Sequence, residues 1–133
     1  MKLKRFGVAI PQDLLSRFDN FIKLKNYKNR SEAIRDLIRE KFVEKRWQEN
    51  KPVYGVISIV YNHHKRELVD KIIDIQHDYQ CLIIASQHVH LTHDSCLEVI
   101  ITRGKAKDVQ NLKDKLASIK GVTHATLSVT SVV

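Results

Sequence analysis

The sequence predicts an α+β protein in two parts: a strand–helix–helix unit over residues 1–50, and a βαββαβ domain over residues 51–133. Three observations carry this reading. The apolar spacing switches between period 2 and period 3.6 in that order along the chain. Periodicity fails over residues 47–52, where Pro52 also stands, and the boundary is placed there. Chemistry is partitioned too. Residues 1–51 hold fourteen Lys or Arg against seven Asp or Glu, a balance of +7, whereas residues 52–133 hold nine against eight, or +1. All seven histidines and both cysteines fall in the second part.

Taken in order, residues 2–10 alternate. Phe6, Val8 and Ile10 share one face and Arg5, Gly7 and Ala9 the other, as in a half-buried strand. Pro11 ends it and suits a helix start. Leu14, Leu15, Phe18, Phe21 and Ile22 then recur at helical spacing, to about Lys25. Residues 26–29 are a polar turn. Asn29 or Ser31 can cap the next helix, with Glu32 three residues past Asn29. Ala33, Ile34, Leu37, Ile38 and Phe42 form its apolar stripe. Such a unit is too small to bury a sufficient core alone, and its single strand lacks a partner. Two copies pairing through residues 2–10 would solve both problems. The outward face of that ribbon would carry Arg5, Gly7 and Ala9.

In the second part, residues 53–61 are a β-rich run. Residues 62–64 are a break that could cap a helix, and Leu68, Val69, Ile72, Ile73 and Ile75 mark that helix. Residues 82–91, which read as a buried strand, and residues 96–102 are two strands around the polar connection 92–95. Val109, Leu112, Leu116 and Ile119 mark a last helix, with Gly121 expected as its C′ residue, and residues 122–132 a final strand. The pattern is ferredoxin-like, close to an ACT-type regulatory domain.

No apolar run is long enough to span a bilayer, and no charged-then-apolar leader opens the chain; the expectation is a soluble cytoplasmic protein. Two cysteines in such a chain are expected as thiols or ligands rather than a disulfide. The concentrated positive charge favours a polyanion, DNA or RNA before anionic lipid.

The densest chemistry lies in QHDYQCLIIASQHVHLTHDSCLEV, residues 76–99. His88 and His90 alternate on one strand, so both imidazoles share a face about 6.6 Å apart. If the strand from Cys96 returns antiparallel, its sulfur comes back beside them. Two nitrogens and a thiolate then converge, as a borderline transition metal needs. His77 is a candidate fourth ligand that local pattern does not fix. A general base and an open coordination position, which a metal hydrolase needs, are not evident, and no H-E-x-x-H motif is present. Cys81 reads as a buried or half-buried small side chain, His93 as solvated, and His63, His64 and His124 as capping, surface or structural residues, with a metal mode using His63 as the weaker alternative. Glu98 could orient a ligand imidazole, with a surface role an equal alternative.

RFGVAIP, an amphipathic helix and then NRSEAIRDLIRE resemble a ribbon-helix-helix DNA-binding domain. The resemblance implies a swapped dimer whose ribbon enters the major groove, with a phosphate held near Arg30 and Ser31 at the second helix's N-terminus. Gly7 and Ala9 can donate no side-chain hydrogen bond, so Arg5 is the outward side chain suited to a base edge.

The whole combination, with QH…HVHLTHDSCLE on a βαββαβ frame, resembles the NikR family of nickel-responsive transcriptional regulators. The resemblance implies one Ni(II) per subunit, held by His88, His90 and Cys96 of one subunit and His77 of a neighbour in a square-planar site. It implies a homotetramer built as a dimer of dimers, metal-promoted binding to a palindromic double-stranded operator, repression of nickel-uptake genes, and no catalysis. A second, weaker cation is implied at Glu32 and Asp36. Lys65 and Arg66 read either as a solvated helix end or as DNA phosphate contacts made once nickel orders their segment. The rival expectation is a regulator on the same frame that senses copper, zinc or a small molecule.

Overall fold

The computed structural model describes residues 1–133 and divides into two compact units, Met1–Glu40 and Lys41–Val133. In the first, residues 1–11 carry no regular secondary structure and α1 spans Gln12–Leu24. Helix α2 starts at Arg30 and runs on through Gln48 in the second unit, past the expected loss of periodicity at Trp47. The expected strand at residues 2–10 is not formed in the single chain. A strand exists through its ladder of hydrogen bonds, and one copy offers these residues nothing to pair with. Phe6 and Val8, the face expected to be buried, are 74% and 68% exposed.

The ends of these helices follow from local chemistry. Helix α1 closes in a Schellman motif: Tyr27 N–H donates to Ile22 O at 3.1 Å and Asn26 N–H to Lys23 O at 3.2 Å. Asn26 takes the left-handed position at φ 59°. Asn29, rather than Ser31, caps α2, its Oδ1 accepting from Glu32 N–H at 2.9 Å, while Glu32 Oε2 accepts from Lys28 N–H. Helix α2 ends in a second Schellman motif. Lys51 N–H donates to Arg46 O at 2.9 Å and Asn50 sits at φ 53°. The Asn50 side chain then accepts from Lys107 N–H at 2.8 Å and so caps a later helix, α4.

The second unit continues β1 (Pro52–Tyr61), α3 (Arg66–Asp78), a 3-10 turn (Gln80–Leu82), β2 (Ile83–His90), β3 (Cys96–Lys105), α4 (Ala106–Ser118) and β4 (Val122–Thr130). This is the βαββαβ order read from the sequence. The sheet runs β2-β3-β1-β4, antiparallel throughout, which puts the longest strands in the middle and β2 and β4 on the edges. One face buries Val53, Ile57 and Ile59 of β1 with Cys96, Ile100 and Thr102 of β3. Leu68 and Ile72 of α3 and Val109, Leu112 and Leu116 of α4 are buried as well, and most of these residues form one continuous core. Each such aliphatic side chain contributes about 1.5–3 kcal/mol.

Two details fix the packing. At Gly55 a Cβ would lie 2.9 Å from Val109 Cγ1, so the close approach of α4 requires glycine there. Gly121 is not the C′ residue of α4. It has φ +105° at the third position of a turn closed by Val122 N–H to Ile119 O at 3.1 Å, a type II geometry that delivers the chain into β4.

Candidate metal centre

The register of β2 against β3 sets His90 opposite Cys96 and His88 opposite Glu98, and the register of β1 sets Tyr61 opposite Cys96. Directly opposed residues share a face of a sheet. His88, His90, Cys96, Glu98 and Tyr61 therefore all lie on the helix-covered side, at the end of the sheet where β2 turns into β3. That turn is closed by Leu91 N–H and Thr92 N–H, both donating to Ser95 O, with the Thr92 hydroxyl accepting from Ser95 N–H. The expected convergence of Cys96 on the two histidines is thus produced by the five-residue connection Leu91–Ser95 and a regular ladder from His90 to Ser86.

The burial is uneven. Cys96 is fully buried, whereas His88 and His90, on an edge strand, are exposed. The Cys96 thiol donates to Tyr61 O at 3.5 Å. Burial pushes its pKa up, outweighing an opposing hydrogen bond with Tyr61, and the Glu98 carboxylate adds a lesser upward push. The resting thiol therefore keeps its proton, and a metal ion would bind in exchange for it. Glu98 does not hold a histidine. Its Oε2 accepts from the Tyr61 hydroxyl at 2.9 Å and its Oε1 from the Gln76 amide at 2.8 Å. This ties the last turn of α3 to the strand that carries Cys96. Burial beside that carboxylate also drives the Tyr61 phenol well above its ordinary pKa, so it stays a donor.

His77, next to Gln76, stands exposed in the last turn of α3 and joins none of the ring contacts described below. His63, the weaker alternative ligand, lines up with the strand histidines instead, together with His64 and His93, which were not expected there. The His88 and His90 ring centroids are 5.4 Å apart, His90 is 4.6 Å from His63, His63 is 4.2 Å from His64, and His64 is 5.0 Å from His93. His63 Nδ1 is buried with no hydrogen-bond partner. Burial first, and then the neighbouring imidazoles, push its pKa down. His64 Nε2 lies 2.8 Å from His93 O and 3.8 Å from Asp94 Oδ1. These residues sit in the β1–α3 loop and the β2–β3 turn, which only the sheet brings together. The signal available in the sequence was the doublet His63-His64 itself. Cys81, expected buried or half-buried, is exposed on the 3-10 turn, and His124 is exposed on β4, the opposite edge.

In the first unit Arg5, Gly7, Ala9 and Ser31 are exposed, and Arg30 grips Asp19 with two hydrogen bonds of 2.8 Å. The carboxylates of Glu32 and Asp36 are both engaged locally. Glu32 accepts from Lys28 N–H, and Asp36 accepts from Arg39 at 2.9 Å.

Both halves match known families. Residues 54–130 match the NikR C-terminal nickel-binding domain, and residues 4–45 match the ribbon-helix-helix proteins of the copG family. A protein of Chlorobium phaeobacteroides named as a nickel-responsive regulator is 53% identical over 130 residues, covering 98% of this chain and 97% of that one. The chain belongs to the nickel-responsive regulator family. Proteins of the same printed name from Syntrophus aciditrophicus and Thermococcus kodakarensis are 50% and 48% identical over 96% and 98% of this chain, and 93% and 95% of theirs. The family is one of DNA-binding transcription regulators with a nickel-binding domain, not of enzymes. Among solved structures, an uncharacterized protein from Thermotoga maritima superposes with a TM-score of 0.55 over 59% of this chain and 98% of its own, at 12% identity, a likeness of fold alone. No helix is long and apolar enough to cross a membrane.

Proposed function

We propose that this nickel-responsive regulator is a repressor of nickel-uptake genes whose operator binding is promoted by Ni(II), one ion per subunit. His88, His90 and Cys96 of one subunit would hold the ion together with His77 of a neighbouring copy. The observation that carries this is the ladder that sets His90 opposite Cys96, with His88 two residues on along the same face. The donor set fits the ion: three imidazole nitrogens and a thiolate suit nickel or copper better than the oxygen-seeking cations. When bound, the metal would supply a bond between copies. The protein's own part is to hold the donors ready. The Gln76–Glu98–Tyr61 hydrogen bonds fix the end of α3, and hence His77, against the Cys96 strand. The exposed position of His77, off the row formed by its own chain, favours a ligand role toward another subunit.

At the other end, a groove of about 560 Å³ lined by Leu3, Phe6, Val8, Ile34 and Ile38 awaits apolar cover, and the matching segment of a second copy supplies it. Paired in this way, residues 2–10 of two chains form the ribbon that presents Arg5, Gly7 and Ala9 to base edges, with phosphate near Arg30 and Ser31. Two such dimers joined through the nickel-binding domains make a homotetramer suited to a palindromic operator in the cytoplasm. Glu32 and Asp36 remain the place for a weaker second cation. The test is a gel shift on the chain's own upstream region and on nickel-transporter promoters, with stoichiometric Ni(II), Cu(II), Zn(II) or none. A shift that requires Ni(II), lost in Cys96→Ala along with the Ni–thiolate absorption band, is the expected result. Equal shifts in all lanes would leave a DNA-binding protein and remove the sensor.

A further inference from the structure

We infer that a recess at the far end of the sheet, where Arg46, Tyr54, Arg103 and Ser131 meet, binds a free tetrahedral oxyanion of the phosphate class. The strand register builds it. Tyr54 of β1 stands opposite Arg103 of β3 and opposite Thr130 of β4, so Ser131, one residue on, borders the same place. Arg46, in the last turn of α2, joins them there, its Nη2 donating to Pro52 O at 2.8 Å. Val53 and Val132 add apolar wall. All of these residues belong to the second unit. Along β1, Tyr54 lies seven residues (61 less 54) from Tyr61, which faces Cys96, so the recess is about 23 Å from the metal centre.

The charge in the recess is unbalanced. Two guanidiniums line it and no carboxylate does, and neither guanidinium forms an ion pair. Arg46 Nε is buried without a hydrogen-bond partner, a donor left unsatisfied inside the protein. The Arg103 side chain and the hydroxyls of Tyr54 and Ser131 make no hydrogen bond within the chain. An oxyanion between the two guanidiniums would answer these donors with charge-assisted hydrogen bonds and relieve the repulsion of like charges. The donors come from four segments, α2, β1, β3 and the stretch after β4, which suits the spread oxygens of a tetrahedral ion better than the single plane of a carboxylate. At about 200 Å³ the recess is smaller than the pockets of about 300–1,000 Å³ that hold drug-sized ligands. A lone oxyanion therefore fits and a whole nucleotide does not. Bound there, the ion would tie the last turn of α2 to the sheet.

The experiment uses the full metal-free chain with inorganic phosphate as probe, the ionic strength being held constant with sodium chloride. Phosphorus NMR follows binding, and thermal denaturation reads the linked stabilisation. Wild type is compared with Arg103→Gln, at an exposed position, and with Tyr54→Phe, which removes one hydroxyl. Wild type should bind phosphate saturably and gain a few degrees in its midpoint, sulfate should act alike, and chloride should not. Arg103→Gln should bind phosphate about tenfold more weakly or worse, as the loss of one charge-assisted contact implies, with its midpoint in chloride unchanged. Tyr54→Phe should weaken binding a few-fold. Equal affinity in wild type and Arg103→Gln would put the phosphate elsewhere on this basic chain and overturn the recess, as would the lack of saturable binding by wild type. An Arg103→Gln protein that keeps its phosphate affinity and loses operator affinity would make the recess a duplex contact, which overturns the free ion as its occupant.

Discussion

The two units of the chain differ in how much of their apolar surface they can cover alone. Lys41–Val133 closes a core in which Ile57, Ile59, Ile100, Leu112 and Leu116 are fully buried. In Met1–Glu40 only Ile22 and Ala33 are buried, while Phe6, Val8 and Leu3 stand out at 74%, 68% and 75% exposure. Both were legible as amphipathic patterns. What separates them is that a four-stranded sheet has an inner pair, so its ladders and face close within one chain, whereas a lone strand has neither ladder nor cover. The first unit is thus half of a structure, and the second is a whole one with an open edge at β2.

The sharpest way to break the comparison is Val8→Asp. A second copy would have to bury that carboxylate in the groove beside Ile34 and Ile38. An unpaired buried charge costs several kcal/mol, so operator affinity should fall by about a hundredfold or more, roughly 3 kcal/mol. The thermal transition of the second unit and its metal absorption should not move. If binding survives in a gel shift, residues 2–10 are not the shared element. Next in size is Leu112→Ala. It opens a cavity in the closed core, and urea denaturation should show a loss of about 2–5 kcal/mol. The same truncation at exposed Leu3 should have no measurable effect on the isolated subunit, and an effect only on dimer formation.

How far the sequence could be read follows the same division. Period-2 and period-3.6 spacing placed every helix and all four strands of the second unit; β1 and β3 bury one face beneath the helices, whereas β2, expected as a buried strand, is exposed along nearly all its length as an edge. The ladder that joins His90 to Cys96 was legible because a short polar connection leaves an antiparallel return as the simple solution. The imidazoles of His64 and His93 were not, and His63 only as the weaker alternative ligand. They come from two loops 29 residues apart (93 less 64), and only the β2-β3-β1 order sets those loops side by side. Glu98 was misread for a related reason. Alternation put it on the right face, but its partners Tyr61 and Gln76 lie on elements that local spacing cannot address. Gly121 was expected as a helix C′ residue, but α4 stops at Ser118 and the glycine serves the turn into β4 instead.

Helix ends offer a smaller contrast between the units. Asn29 does one task, accepting from Glu32 N–H, and Asn29→Ala should cost about 1 kcal/mol. Asn50 does two. It holds a left-handed backbone at φ 53° and caps α4 through Lys107 N–H. Asn50→Ala loses the cap and strains the backbone, about 2–3 kcal/mol together. Asn50→Gly should recover the backbone part alone, so the order Ala worse than Gly in chemical denaturation is the check.

The smallest expected effect is a pH dependence confined to the second unit. His63 is held below its ordinary value of 6.5, first by burial and then by the surrounding imidazoles. A histidine with a lowered folded pKa binds fewer protons when folded than when unfolded. Stability is then full above about pH 6.5 and falls as the pH drops through the folded value. The midpoint of denaturation of the metal-free protein should therefore decline between neutral and mildly acidic pH. His63→Gln, which keeps a polar side chain of similar reach but cannot titrate, should flatten that part of the decline. The slope of the first unit, which contains no histidine, should be untouched. A variant that declines as steeply as wild type would mean that His63 titrates freely in solvent, and that the row of rings is not closed enough to exclude water from its middle member.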